Sequence, residues 1–276
     1  GHEQYTRNMA TGASTCDVAV ILIDAANGVL PQTKRHTFIT SLLGIKHLIV
    51  AVNKMDLVDY SEQRFEAIRA DYEAFASQLS IADLQFIPIS ALAGDNVVEQ
   101  TDRMPWYQGA TLMHLLETVH IAADVDVSHF RMPVQRVNRP DSTFRGYSGT
   151  LAAGTIKPGD RVRALPSGVE SSVTRIVTMD GDLDEAFPPL AVTLTLADEI
   201  DVSRGDLLVP PRNVPHVTRR FEAMMVWMSD EPMKVGRPYV VKHLTRKVPA
   251  TIKGLRYRME VDTLHRKDGD ELGLNE

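Results

Sequence analysis

The chain has 276 residues, enough for about two domains at roughly 100–200 residues each. Charged residues make up 24% and hydrophobic ones 43%, a balance that fits an ordinary soluble globular protein and excludes a fibrous or disordered one. The net charge of −6 argues against a broad nucleic-acid surface, no apolar run reaches the ~20 residues of a membrane span, and the absence of a signal-peptide pattern points to the cytoplasm. The one cysteine, Cys16, leaves no disulfide or thiolate metal site to build, and it is expected to be a buried small hydrophobe at the start of a strand. The nine histidines are scattered without metal-ligand spacing.

Helical and strand patterns alternate over residues 1–124, which predicts an α/β domain with a parallel sheet wrapped by helices. GHEQYTRNMATGAS (1–14) is polar and helix-tolerant, and DVAVILID (17–24) reads as a buried strand. A helix is expected over Gln32–Leu43, with Phe38, Ile39, Leu42 and Leu43 on one stripe and Gly44 as its stop. Leu48–Val52 is a short aliphatic run of the kind buried on both faces of a parallel sheet. Ser61 caps a further helix whose Phe65, Ile68, Tyr72, Phe75 and Leu79 recur at steps of three and four. Leu84–Ile89 is the next strand, and Thr111 caps a helix that turns Leu112, Leu115, Leu116 and Val119 inward.

The chemistry is concentrated where the central strand ends, at Asn53-Lys54-Met55-Asp56. Ligands of open α/β sheets bind at the carboxyl ends of the strands. An ionised Asp56 is an acceptor with two oxygens, and it matches the adjacent N1–H and exocyclic amine of guanine. Adenine would set a lone pair against that carboxylate, and a site built on hydrogen bonds rejects such a mismatch by ~10⁴ or more. Asn53 offers a donor and an acceptor to the other edge of the base, and the Lys54 stem can lie along the ring. Ser90-Ala91-Leu92, after the next strand, would supply backbone N–H groups to guanine O6. Four residues of this pattern also arise by chance and are ordinary loop residues, so the second segment carries much of the inference.

Helical periodicity disappears beyond Asp124. From 130 to 211 short β-rich runs are separated by turn residues, with Gly149, Gly154 and Gly159 five apart, the rhythm of a small β-barrel. Pro158-Gly159-Asp160 and Ser203-Arg204-Gly205-Asp206 are turns, and Pro210-Pro211 is a linker. Strands are expected again over 214–276, in FEAMMVWM, RPYVVKHL and ATIKGLRYRMEV, as part of a second barrel. A barrel must close to remove its edges, so this one is expected to be incomplete at Glu276.

NKMD (53–56), SAL (90–92) and GHEQYTRNMATGAS (1–14) together resemble the elongation-factor class of translational GTPases, in which a P-loop-NTPase-type G domain precedes two β-barrels. GDNVVEQTDRMPWYQG (94–109) resembles the branch shared by the archaeal and eukaryotic aminoacyl-tRNA carrier and the large subunit of bacterial heterodimeric sulfate adenylyltransferase. STCDVAVILIDAANGVLPQTKRH (14–36), LADEIDVSRGD (196–206) and MVWMSDEPMKVGRPYVVKH (225–243) are similar to the sulfate enzyme.

That resemblance implies a GTPase subunit whose GTP hydrolysis drives a smaller ATP-binding catalytic subunit to make adenosine 5′-phosphosulfate from ATP and sulfate, in a heterodimer or a larger assembly. It assigns base recognition to Asn53, Lys54 and Asp56, with backbone help from Ser90, Ala91 and Leu92. Gly1 becomes the γ-phosphate contact at the end of a D-x-x-G element, and His2 the residue that positions the attacking water. No G-x-x-x-x-G-K-[ST] occurs, so the phosphate loop and the ligands of Mg²⁺ are expected upstream of Gly1, and the chain alone is expected not to hydrolyse GTP. Two competing readings are a factor that delivers aminoacyl-tRNA and a docking piece that binds no nucleotide.

Overall fold

The computed structural model describes residues 6–121, 127–260 and 263–276. Gly1 and His2 lie outside these residues. Two compact units are present: Gly1–His120 with Ala223–Gly236 and Ile252–Glu276, and Ile121–Glu222 with Arg237–Thr251.

The first unit is built on a parallel sheet of three strands, β1 (Val18–Asp24), β2 (His47–Asn53) and β3 (Asp83–Pro88), in that spatial order. Helices α1 (Thr6–Ala13), α2 (Pro31–Leu42), α3 (Glu62–Ala76) and α4 (Leu112–Thr118) accompany it. Alternating side chains of β2 feed two cores: Leu48, Val50 and Val52 pack with Phe65, Ile68 and Tyr72 of α3, while Ile49 and Ala51 pack with Ile87, Ile89, Leu112 and Leu115. The expectation of burial on both faces therefore holds for β2.

It fails for β1. This strand is at the edge of the sheet, and Ile21 and Ile23 are buried while Val20 and Leu22 are exposed. Cys16 is also exposed, contrary to expectation. The strand begins only at Val18, so Cys16 falls in the turn after α1, where its thiol faces the Gly12 carbonyl at 3.2 Å.

The helix ends follow their sequence signals. Gly44, at φ +83°, donates to Ser41 O while Ile45 donates to Thr40 O, and this paired reversal satisfies the last carbonyls of α2. The stripe on α2 is narrower than expected, because Phe38 and Ile39 are buried but Leu42 and Leu43, beside the stop, are exposed. Ser61 Oγ accepts from Arg64 N–H at 3.3 Å, and Thr111 Oγ1 accepts from His114 N–H at 3.3 Å, so both expected N-caps form. Among the described residues no helix is long and apolar enough to cross a membrane.

The second unit holds an eight-stranded antiparallel sheet. Its strands are β4 (Met132–Pro133), β5 (Arg136–Asn138), β6 (Gly146–Thr150), β7 (Arg161–Leu165), β8 (Glu170–Thr178), β9 (Gly181–Leu183), β10 (Ala191–Leu196) and β11 (Leu207–Val209). They run β4-β11-β7-β8-β10-β6-β5, with β9 beside β8. β4 and β5 stand at opposite ends of this order yet are separated by only two residues, so a single segment closes the sheet into a barrel and removes its edges. Met132, Tyr147, Val162, Ile176, Leu194 and Leu208 lie in its core. The glycine rhythm has a steric basis at Gly154, whose φ of +67° and 2.0 Å spacing between its missing Cβ and Phe130 N exclude any side chain.

Beyond the barrel the strands are fewer than expected. β12 (Pro238–His243) and β13 (Arg246–Thr251) form a hairpin in the second unit, and β14 (Arg258–Met259) and β15 (Arg266–Lys267) form a short pair in the first. FEAMMVWM, 221–228, forms no strand. A strand needs a neighbour along its length, and in this segment the ladder bonds gather at Trp227, which exchanges backbone bonds with Asn275 and Glu276.

Candidate functional site

The carboxyl ends of β1 and β2 are in register, with Asp24 opposite Asn53. Beyond them the chain enters a short 3₁₀ turn, Met55–Val58, seated by the fully buried Met55. Met55 N–H donates to Ile89 O at 3.2 Å, so this turn and the segment after β3 run side by side. Asn53 stitches them together: its Oδ1 accepts from its neighbour Lys54 N–H at 2.7 Å and from Ala91 N–H at 2.9 Å. Ser90 repeats the link, donating its hydroxyl to Asp56 Oδ1 at 2.6 Å and accepting from Ala93 N–H at 3.3 Å. The two segments singled out in the sequence thus meet, 34 residues apart in the chain, through side chains of both.

Lys54 adopts a left-handed conformation, φ +63°, unusual for a non-glycine residue and the kind of backbone strain, worth about 1–3 kcal/mol, that gathers at binding sites. Its ammonium reaches Asp24 Oδ2 at 2.7 Å. That hydrogen bond, helped by the Ala26 N–H at 2.9 Å, holds the Asp24 carboxyl below the usual carboxylate range. Lys54 is 53% and Asp24 23% exposed, so the pair contributes at most about 1 kcal/mol and its main effect is to fix the lysine's direction. Arg64 of α3 donates to Ala25 O at 2.7 Å and Ala26 O at 3.1 Å, holding the loop after β1 from its other side.

Sequence reasoning missed the support beneath Ser90. Asp95 is 6% exposed and exchanges both backbone bonds with Ser90. Its carboxylate accepts from the Thr101 hydroxyl at 2.7 Å, the Tyr60 hydroxyl at 3.1 Å and Arg103 at 3.3 Å. Asn96 donates to Pro88 O at 3.0 Å and accepts from Thr101 N–H at 3.1 Å, and the Trp106 indole donates to Tyr60 O at 3.0 Å. GDN at 94–96 and the later Trp106 thereby brace the loop that carries Ser90 and Ala91. The turn-type run Gly94-Asp95-Asn96 shortly after Ser90 was the available signal.

After these bonds are made, the groups left without a protein partner among the described residues are Asp56 Oδ2, the Asn53 amide nitrogen and the Leu92 N–H. Leu92 itself is 94% exposed. The N–H groups of Ser90 and Ala91 are engaged within the protein, by Asp95 O and Asn53 Oδ1. An anionic acceptor, an amide donor and a backbone donor are what a planar base with donors on one edge and an acceptor beside them requires. No group of three or more His, Cys, Asp or Glu among the described residues could hold a metal ion, and the Asp24 carboxylate is taken by Lys54. These residues therefore do not fit Mg²⁺.

Residues 1–124 match the elongation factor Tu GTP binding domain, and residues 220–276 the GTP-eEF1A C-terminal domain-like family. The fold over residues 1–124 is thus of the elongation factor Tu GTP-binding-domain type. All of the chain aligns at 58% identity with 43% of the bifunctional enzyme CysN/CysC of Rhodopirellula baltica, and at 55% with 58% of sulfate adenylyltransferase subunit 1 of Bacteroides fragilis. Among solved structures, sup35 complexed with GDP is 25% identical with a TM-score of 0.52, over 96% of this chain and 69% of that one. The first 124 residues match the elongation factor Tu GTP binding domain, and the whole chain is similar to sulfate adenylyltransferase subunit 1. It spans about half the length of the curated relatives it matches.

Proposed function

We propose that this chain is the base-reading and barrel portion of a GTPase subunit of sulfate adenylyltransferase. In the intact polypeptide GTP hydrolysis drives a smaller ATP-binding subunit to join ATP and sulfate into adenosine 5′-phosphosulfate. The observation that carries the reading is the junction of Asn53 and Asp56 with Ala91 and Ser90, in a chain 53–55% identical to proteins named sulfate adenylyltransferase subunit 1.

Asp56 accepts N1–H and the exocyclic amine of guanine, Asn53 donates to the opposite edge, and Leu92 N–H meets O6. Ser90 and Ala91 act indirectly, by fixing Asp56 and Asn53. Gly1 as γ-phosphate contact and His2 as the residue orienting water remain part of the proposal, together with Mg²⁺ held by groups outside the described residues, a heterodimeric or larger assembly, and a cytoplasmic location. Delivery of aminoacyl-tRNA has weaker support, since relatives at 53–55% identity are named sulfate adenylyltransferase subunit 1.

The test is synthesis of adenosine 5′-phosphosulfate by the intact polypeptide with its small partner subunit, with and without GTP. Product formation is expected to rise with GTP and to lose that response in Asp56→Ala. Indifference to GTP, or an unchanged response in the variant, would overturn the proposal.

A further inference from the structure

A second polar cleft lies entirely within the barrel unit, at a distance in sequence from the nucleotide loops. It encloses about 720 Å³ between the Ser203–Asp206 turn and the β12–β13 hairpin. Arg204, Lys242, Arg246 and Lys247 converge on it. None of the four has an anionic partner among the described residues, whereas Arg161, Arg163 and Arg175 of the same unit are all paired with carboxylates. The one carboxylate in the lining, Asp206, is turned back onto Ser203 N–H at 2.9 Å.

Two further features suit the cleft to a ligand. Thr245 Oγ1 is buried in the cleft lining without any hydrogen-bond partner, a state that is costly unless something else accepts or donates there. The hairpin turn that delivers it joins His243 to Arg246 through only two residues, and the first, Leu244, has φ +53° where glycine or asparagine is the usual choice. Gly205, at φ +98°, lets the Arg246 side chain approach to 3.4 Å from where a Cβ would stand, closing the wall of the cleft. In a chain of net charge −6, four unpaired cations held together in this way repel one another unless an anion joins them.

We infer that this cleft binds a multiply charged phosphate or sulfate oxyanion, held by the two guanidinium forks, the two ammonium groups and the Thr245 hydroxyl. The ligand is either a free oxyanion such as pyrophosphate or the terminal phosphates of a nucleotide, and the volume admits both. This inference is independent of the guanine reading.

The test uses the intact polypeptide at low ionic strength, with pyrophosphate and ADP as separate probes. Saturable protection of Lys242 and Lys247 from acetylation, read by mass spectrometry, is expected with no protection of Lys157, which already pairs with Glu185. Protection at lower concentration by ADP than by pyrophosphate would assign the nucleotide source, and the reverse the free oxyanion. Arg246→Ala and Thr245→Val are each expected to weaken the better probe by about tenfold or more, while GDP affinity stays constant. Because the unmodified protein gives the protection readout, an unstable variant leaves the test intact. Equal protection of Lys157, lack of saturation by both probes, or protection by RNA alone would overturn the inference.

Discussion

The substitution Asp56→Asn tests the proposed base recognition, and the geometry around Ser90 sets the expected outcome. Ser90 Oγ already accepts from Ala93 N–H at 3.3 Å, so its proton points at Asp56 Oδ1, 2.6 Å away. An asparagine at position 56 satisfies that donor only with its oxygen toward Ser90, which puts its NH₂ where Oδ2 stood. The amide donor then faces guanine's exocyclic amine, and N1–H is left with a neutral amide oxygen. One charge-assisted hydrogen bond of about 1.5–3 kcal/mol is lost and the other weakened, roughly 10- to 10³-fold in GTP affinity. Xanthine carries a carbonyl in place of the exocyclic amine, so the same NH₂ gains an acceptor and the preference inverts toward xanthosine triphosphate. Fluorescence titration of the intact protein with labelled guanosine and xanthosine nucleotides measures the ratio. Adding Ser90→Ala frees the amide to turn over and is expected to erase much of the xanthosine gain. Unchanged guanine preference in the single variant would refute the reasoning.

Three further outcomes follow from particular contacts. Asp95→Ala removes the acceptor for Thr101, Tyr60 and Arg103 beneath Ser90 and is expected to cost about 2–3 kcal/mol in urea denaturation, with a loss of nucleotide affinity beyond that of Asp95→Asn. Asp24 has its folded carboxyl pKa depressed by Lys54, so its stabilising effect is complete above its ordinary value of 3.8 and is lost as pH falls through the lower folded value. Asp24→Asn should therefore lower stability slightly at neutral pH, with the difference vanishing in strong acid; a difference independent of pH would contradict the assignment. Gly154→Ala places a methyl 2.0 Å from Phe130 N and should unfold the barrel unit or cost above about 4 kcal/mol, while Gly44→Ala, with open space and φ +83°, should cost only about 1 kcal/mol; comparable losses by calorimetry would refute the steric account.

How much of this was readable in the sequence depended on whether the deciding contact was local. The stop at Gly44, the caps at Ser61 and Thr111 and the turns at 157–160 and 203–206 rest on bonds within a few residues, and all were legible. So was the burial of Leu48–Val52, because a central parallel strand is covered by apolar side chains on both faces. The exposure of Val20 and Leu22 was not, since the same aliphatic pattern serves an edge strand, and only the sheet order distinguishes the two. At the candidate site, residue types singled out Asn53, Lys54 and Asp56, but a sequence does not reveal that Ala91 N–H bonds to Asn53. The supporting acid Asp95 and the basic cleft each arise from pairings across long stretches of chain, which no periodicity records.

The most direct measurement is the equilibrium affinity of the intact protein for GDP, IDP and ADP side by side. Inosine keeps N1–H but lacks the exocyclic amine, so the account predicts GDP tightest, IDP weaker by about tenfold to a hundredfold, and ADP weaker by ~10⁴ or more. Equal affinity for GDP and ADP would contradict it.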